Sequence, residues 1–261
     1  MPLDLGSMNL EERTKYLELK EQYKKKLLPW YKKWWGRLII IILGLFIIFA
    51  TITGLYIYNE YQRIKTENAD SQKTSADAAL QTAIYGPGTN YFMGPATAQL
   101  TIVEFSDFAC PYCEQAHTIL KKIVDRYPGK VKIVFRDMPL HENSVELALS
   151  ARCAGEQGKF WEMHDQLFAN QSNLTGTSTE LTNVIDGLAG TIGVNPATFD
   201  NCYSTKKYLN DINTDFSDGN SLNLKGTPSW FLNGKLLTGY LPEADYFTLL
   251  DSYFANQANQ N

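Results

Sequence analysis

Apolar residues crowd into one unbroken run, Leu38–Tyr58, LIIIILGLFIIFATITGLYIY, 21 residues without a charge. As an α-helix this run is roughly 31 Å long, the thickness of one bilayer core. Core helices of soluble proteins seldom continue so far without a charge. Trp30, Tyr31, Trp34 and Trp35 precede the run, and Tyr56, Tyr58 and Tyr61 close it. Amphipathic rings of this kind favour the two headgroup layers. A signal peptide has an apolar stretch of about 7–15 residues behind a short basic segment. Here the run is longer and begins after 37 residues, which predicts an uncleaved single-pass anchor.

After the run the pattern turns polar. Residues 59–90 are rich in Ser, Thr, Ala, Asn and Asp and end in YGPGTN, which reads as a tether, flexible in part. Leu100–Phe105 is a β-rich run, and Val131–Arg136 alternates as a strand does. Between them Ile119, Leu120, Ile123 and Val124 recur at helical spacing, stopped by Pro128-Gly129. Strand, helix, strand predicts a βαβ unit with a parallel pair.

A helical stretch follows. Asn143 or Ser144 can cap a helix running towards Phe160 and Leu167, Ser178 or Thr179 can cap the next, and Asn195-Pro196 can open a third. More polar helix continues past Tyr208, and Phe160, Trp161 and Phe168 read as core of this insert. Strands return at Ser229–Leu232 and Lys235–Thr238 around Asn233-Gly234, a strong hairpin signal. Pro242 opens a last helix through Leu250 and Phe254. The expected organisation of the 261 residues is an arm at 1–37, a span at 38–58, a tether at 59–90, an α/β domain at 91–256 and a tail at 257–261. The domain's helical insert is expected at about 141–215.

Charge orients the chain. Residues 1–37 hold nine Lys and Arg against five Asp and Glu, a net of +4, and residues 59–261 hold 15 against 23, a net of −8. The basic arm is therefore expected in the cytoplasm and the rest outside. The arm mixes Glu and Lys at i,i+4, as a helix near anionic lipid or a solvated helix would. An acidic outer part is a poor nucleic-acid binder. All four cysteines, Cys110, Cys113, Cys153 and Cys202, lie on that outer side, where disulfides persist.

The stretch Phe108–His117, FACPYCEQAH, carries the chemistry. As metal ligands, Cys110 and Cys113 have the spacing of half a zinc site, but no second C-x-x-C exists. His117 joins them only by an awkward wrap along one helix, and it reads better as a polar helix-face residue. As redox thiols the pair fits its position. Cys110 falls at a helix start, where free N–H groups and the helix dipole favour a thiolate. Pro111 suits the first turn, which needs no N–H there. Cys113 lies one turn deeper, so Cys110 is the expected attacking sulfur and Cys113 the resolving one. Phe108 and Tyr112 are expected as exposed apolar residues that grip unfolded chains.

Three motifs in order, VEFSDFACPYC, EQGKFWEMHDQLF at Glu156–Phe168 and GTPSWFLNG at Gly226–Gly234, resemble the DsbA-like thiol–disulfide oxidoreductases of the thioredoxin superfamily. The likeness is greatest to their membrane-anchored bacterial members and covers about residues 90–256. The resemblance implies a thioredoxin fold with a helical insert and no cofactor. It implies a redox dithiol at Cys110 and Cys113, a cis proline at Pro228 facing it, and Thr227 offering backbone groups to an extended substrate. Pro111 and Tyr112 would contact that substrate as well. It implies a buried carboxylate at Glu104 that shuttles the Cys113 proton, although a strand-end Glu104 facing solvent is the plain alternative. Some family members carry a second disulfide in the insert. Cys153 and Cys202, otherwise unpaired in an oxidising compartment, fit one, with two buried thiols as the alternative.

The resemblance further implies exported cysteine-containing substrates and a membrane quinone-linked reoxidase. Pro111-Tyr112 also occurs between the cysteines of glutaredoxins and isomerase-type relatives, so the direction of electron flow stays open. The alternatives are a disulfide reductase or isomerase of the same fold, and a non-enzymatic tethered chaperone or assembly factor.

Overall fold

The computed structural model describes residues 9–27, 29–86 and 91–258. They divide into two units, one up to Lys73 and one from Thr74 onward.

In the first unit, helix α1 (Leu10–Lys26) opens on a capping box between Asn9 and Glu12 and closes on Lys24, Lys25 and Lys26, which suit the two ends of its dipole. A 3₁₀ turn at Trp30–Lys32 leads into α2 (Trp34–Tyr85). Helix α2 contains an 18-residue window of mean hydropathy 2.9, none of it buried, long and apolar enough to cross a membrane.

The tether expectation needs correction. Residues 59–85 are helix, not flexible chain. No Gly or Pro interrupts them before Gly86, and Arg63 pairs with Glu60 and Glu67 one turn either side. The last turns of α2 belong to the folded second unit, where Ile84 is fully buried beside Val103, Phe105 and Phe231. Composition alone suggested a linker because polar residues dominate, but helix propensity and one apolar anchor decide the outcome.

The second unit is built on a five-stranded sheet of order β1-β3-β2-β4-β5, with β1 at Phe92–Met93, β2 at Leu100–Ser106, β3 at Val131–Asp137, β4 at Ser229–Leu232 and β5 at Lys235–Thr238. β2 and β3 are parallel, joined by α3 (Pro111–Arg126), and the other pairs are antiparallel. The short β1 carries no sequence signal of its own. The β4–β5 hairpin turns at Asn233 and Gly234, both at positive φ, as a two-residue type I′ turn requires.

Alternation along β2 sends successive side chains to opposite faces. Leu100 and Ile102 meet α3, Trp230 and the C-terminal helix α9 (Glu243–Ala258), while Val103 and Phe105 meet Ile84 and Met138. The same alternation puts Glu104 and Ser106 on the α3–α9 side.

The insert consists of α4 (Ser144–Gly155), α5 (Phe160–Ala169), α6 (Ser178–Thr191), α7 (Pro196–Ser204) and α8 (Leu209–Ser221). The single helix expected from Asn143 towards Leu167 is two helices, broken at Gly158 with φ +74°. Thr177, not Ser178 or Thr179, caps α6, through a capping box with Glu180. The insert reaches Ser221, past the expected 215. Cys153 of α4 and Cys202 of α7 are bridged, with Cα atoms 5.7 Å apart.

Buried charge fastens α8 to the sheet. Arg136 of β3 donates to Asp215 at 2.6 Å and also pairs with Asp218, and Arg152 of α4 pairs with Asp137 and Asp215. Arg136 further donates to the carbonyls of Ala83 at 2.9 Å and Ile84 at 3.2 Å, satisfying the C-terminal end of α2. Arg136 is 0% exposed, so each guanidinium N–H needs such a partner.

Candidate active site

The loop Ser106–Cys110 joins the C-terminal end of β2 to α3. Cys110 is the N-cap, in extended backbone at φ −82°, ψ 123°, and Pro111 takes the first helical position. Asp107 shapes the loop. Its backbone carbonyl accepts from Cys110 N at 3.0 Å, and its carboxylate accepts from Ala109 N at 2.9 Å, Leu140 N at 2.8 Å and His141 Nδ1 at 2.7 Å. The bond from Ala109 N is the ordinary Asx turn, two residues on. Asp107 stood inside the quoted motif without an assigned role, and that turn geometry was the available signal.

Both cysteines are free thiols and both are nearly covered, Cys110 at 3% and Cys113 at 0% exposure. The Cys110 sulfur lies 3.4 Å from the Thr227 carbonyl oxygen, to which it donates only while it carries its proton. The Thr227–Pro228 peptide is cis, as the resemblance implies. The dithiol and the Thr-Pro loop, apart by more than a hundred residues in sequence, thus meet.

Environment drives the two sulfurs apart. Hydrogen bonding from the Cys113 thiol lowers Cys110 to about 5, helped by the helix-start N–H groups of Cys113 and Tyr112, against the opposing effect of burial. Burial raises Cys113 far above the ordinary thiol range, with its hydrogen bond to Cys110 and the Glu104 charge adding to the rise. One sulfur is held ionised and the other held protonated.

Glu104 is 1% exposed, so it does not face solvent at a strand end. Burial pushes its carboxyl up to about 8, with the Ser106 hydroxyl pulling down and the Cys110 charge pushing up. Its position opposite Trp230 puts it inside the sheet face covered by α3 and α9.

One expectation changes. Phe108 is 1% exposed and packs on Phe135, Phe168 and His164, with ring centroids 5.2, 5.0 and 5.8 Å away. It is core, because the rings of Phe135 from β3 and Phe168 from α5 cover it. Tyr112 is 59% exposed and remains available to a partner. His117 stacks on Phe168 at 5.2 Å, and among the described residues no three His, Cys, Asp or Glu side chains converge as a metal site needs. A pocket of about 530 Å³ opens beside the loop, against Ala109, Pro111, Glu114, His141 and Gln171.

Two free thiols at a helix start, faced by a cis Thr-Pro peptide that leads into β4, on a sheet with a parallel β2–β3 pair, define a thioredoxin-fold protein with a helical insert. The thioredoxin family's sequence model matches residues 87–252, and the chain belongs to that family. Among solved structures the fold is shared with the thiol-disulfide exchange protein α-DsbA2 of Wolbachia pipientis, at TM-score 0.59 and 20% identity, over 71% of this chain and 98% of that one. It is also shared with oxidised BdbD of Bacillus subtilis, at TM-score 0.54 and 22% identity, over 62% and 90%. A curated relative, the Na(+)/H(+) antiporter NhaA 1 of Salinispora arenicola, is 31% identical over 152 residues. That match spans 57% of this chain and only 22% of the antiporter.

Proposed function

We propose that the chain is a membrane-anchored thiol–disulfide oxidoreductase that forms disulfides in exported proteins. The observation that carries this reading is the opposite displacement of the two sulfurs, Cys110 lowered and Cys113 raised. A stabilised Cys110 thiolate stabilises the reduced pair, and a stable reduced pair makes its disulfide a strong oxidant.

The reaction follows from the oxidised pair. A substrate thiolate attacks the Cys110 sulfur, the Cys110–Cys113 bond breaks, and Cys113 leaves with the electron pair and takes the proton of Glu104. A second substrate thiolate then attacks the substrate sulfur of the mixed disulfide. The substrate disulfide forms and Cys110 departs as the thiolate that its helix start favours. Two electrons have moved from substrate to protein. Thr227 presents main-chain groups to the substrate segment as an added strand would, while Pro111 and Tyr112 flank its cysteine.

A quinone-linked membrane reoxidase would restore the Cys110–Cys113 disulfide. Leu38–Tyr58 would anchor the chain, with the basic residues before it in the cytoplasm and the folded unit outside. The antiporter relative does not extend this reading to ion transport, since the match is confined to 22% of that protein.

Refolding of reduced, scrambled-free RNase by the oxidised protein tests the direction. Recovery of RNase activity supports the oxidase; insulin reduction without RNase oxidation supports the reductase; and neither activity, in a protein that still holds an unfolded client, supports the tethered chaperone.

A further inference from the structure

Gln171 of the helical insert hydrogen-bonds to the backbone of the reacting cysteine. It sits in the 3₁₀ turn Gln171–Asn173 that follows α5. Its amide nitrogen donates to the carbonyl of Phe108 at 2.9 Å and to the carbonyl of Cys110 at 3.0 Å. Both partners are acceptors only, so the NH₂ end, with its two protons, must face them. The Cys110 carbonyl also receives Cys113 N and Glu114 N, each at 3.1 Å. Three donors therefore converge on the carbonyl of the residue that bears the attacking sulfur.

The turn that carries Gln171 is itself fixed. Asn173 N donates to Asn170 O at 2.8 Å and Leu174 N to Gln171 O at 3.1 Å, and Leu174 is 3% exposed in the insert core. Phe168, three residues before, packs on Phe108 of the loop. The insert thus reaches the loop with a rigid arm, and the amide lands on the two carbonyls that set the orientation of Cys110. Its positive end points at the residue whose sulfur carries negative charge in the reduced state.

We propose that Gln171 is a positioning residue for the exchange reaction, clamping Phe108–Cys110 so that the Cys110 sulfur faces the N–H groups of the α3 start. The role rests on the oxidoreductase reading and names the link between the insert and its chemistry. The clamp acts through the Cys110 backbone and through its dipole; it does not touch substrate. A merely structural glutamine would hold the insert against the loop without affecting the sulfur.

Two near-isosteric variants of the full chain separate the roles. Gln171→Met keeps the stem and removes both donors, and Gln171→Glu sets an acceptor against two carbonyls. Three quantities are read for each: the thiolate absorbance titration of Cys110, the equilibrium constant with glutathione, and the thermal midpoint. The expected result is an upward move of the Cys110 titration, with the constant shifting about tenfold towards the protein disulfide, equivalent to about 30 mV. Gln171→Glu should exceed Gln171→Met in both. A lowered thermal midpoint with unchanged titration and constant would overturn the proposal, as would two variants indistinguishable from wild type. The titration needs no substrate, so a wild-type protein that exchanges no disulfides would sink the oxidoreductase reading while leaving the clamp separately readable.

Discussion

The Cys110 sulfur and the Thr227 carbonyl oxygen lie 3.4 Å apart although 117 residues separate them in the chain. That closeness puts the Cys110 sulfur beside the cis Thr227–Pro228 peptide. It also removes Cys110 from bulk water while the helix start supplies the compensation for its charge.

Replacing either cysteine should separate the two steps. Cys110→Ser is expected to abolish exchange, since the buried, protonated Cys113 is a poor nucleophile. Cys113→Ser is expected to leave Cys110 trapped with substrate as a mixed disulfide, visible as a mass adduct removed by reductant. Full RNase oxidation by Cys110→Ser would contradict the assignment.

Stability of the reduced protein should depend on pH through two opposing groups. Cys110 is lowered to about 5 from 9.0, so between those values the unfolded chain binds more protons and stability rises with pH. Glu104 is raised from 4.5 to about 8, so between those values the native state binds more protons and stability falls. Cys110→Ser should remove the rising contribution and expose the fall. Adding Glu104→Gln should flatten it. Urea midpoints across pH 4.5–8 check both, and an unchanged slope in the double variant would contradict the buried Glu104.

Glu104→Gln should also slow attack on the Cys110–Cys113 disulfide more than resolution, because Cys113 then leaves without its proton donor. Stopped-flow rates for mixed-disulfide formation and decay separate the two steps, with formation expected to slow by about 100-fold, the lower end of the usual range for general acid–base assistance.

The bridge between Cys153 and Cys202 closes a loop with a sequence separation of 49. Replacing both by Ala is expected to destabilise the folded unit by about 2–5 kcal/mol, measured by urea unfolding, with exchange chemistry at Cys110 retained. Alkylation of the unreduced protein should label neither residue.

Arg136→Met should be among the most destabilising single changes, about 3–5 kcal/mol for a broken buried pair. It leaves Asp215 short of a partner and frees the carbonyls of Ala83 and Ile84. Burial already pushes Asp215 up to about 6, with Asp137 adding to the rise and Arg136 and Arg152 opposing it. The loss in Arg136→Met should therefore be larger at pH 7.5 than at pH 5, where Asp215 can protonate.

Much of this was legible in the sequence because local signals were strong. Cys110-Pro111 announced a helix start, Asn233-Gly234 a hairpin, and the alternation in Val131–Arg136 a strand. What was illegible depended on distant partners. The polar stretch after Tyr58 hid a helix because its contacts with a core come only at its end, from Ile84 and Tyr85. Phe108 looked exposed because its covering rings, Phe135 and Phe168, come from a strand and an insert helix far along the chain. Gln171 had no local mark at all, since its two acceptors are backbone carbonyls 61 and 63 residues earlier. A glutamine's donors can serve any carbonyl, and only the folded chain says which.

The most direct test of the central claim is the reduction potential of the Cys110–Cys113 couple in the folded protein, equilibrated against glutathione. A stabilised Cys110 thiolate beside a protonated Cys113 should give a value above about −180 mV, towards the strongly oxidising end near −120 mV. A value near about −270 mV, where thioredoxin-type reductants lie, would contradict an oxidising role for this pair.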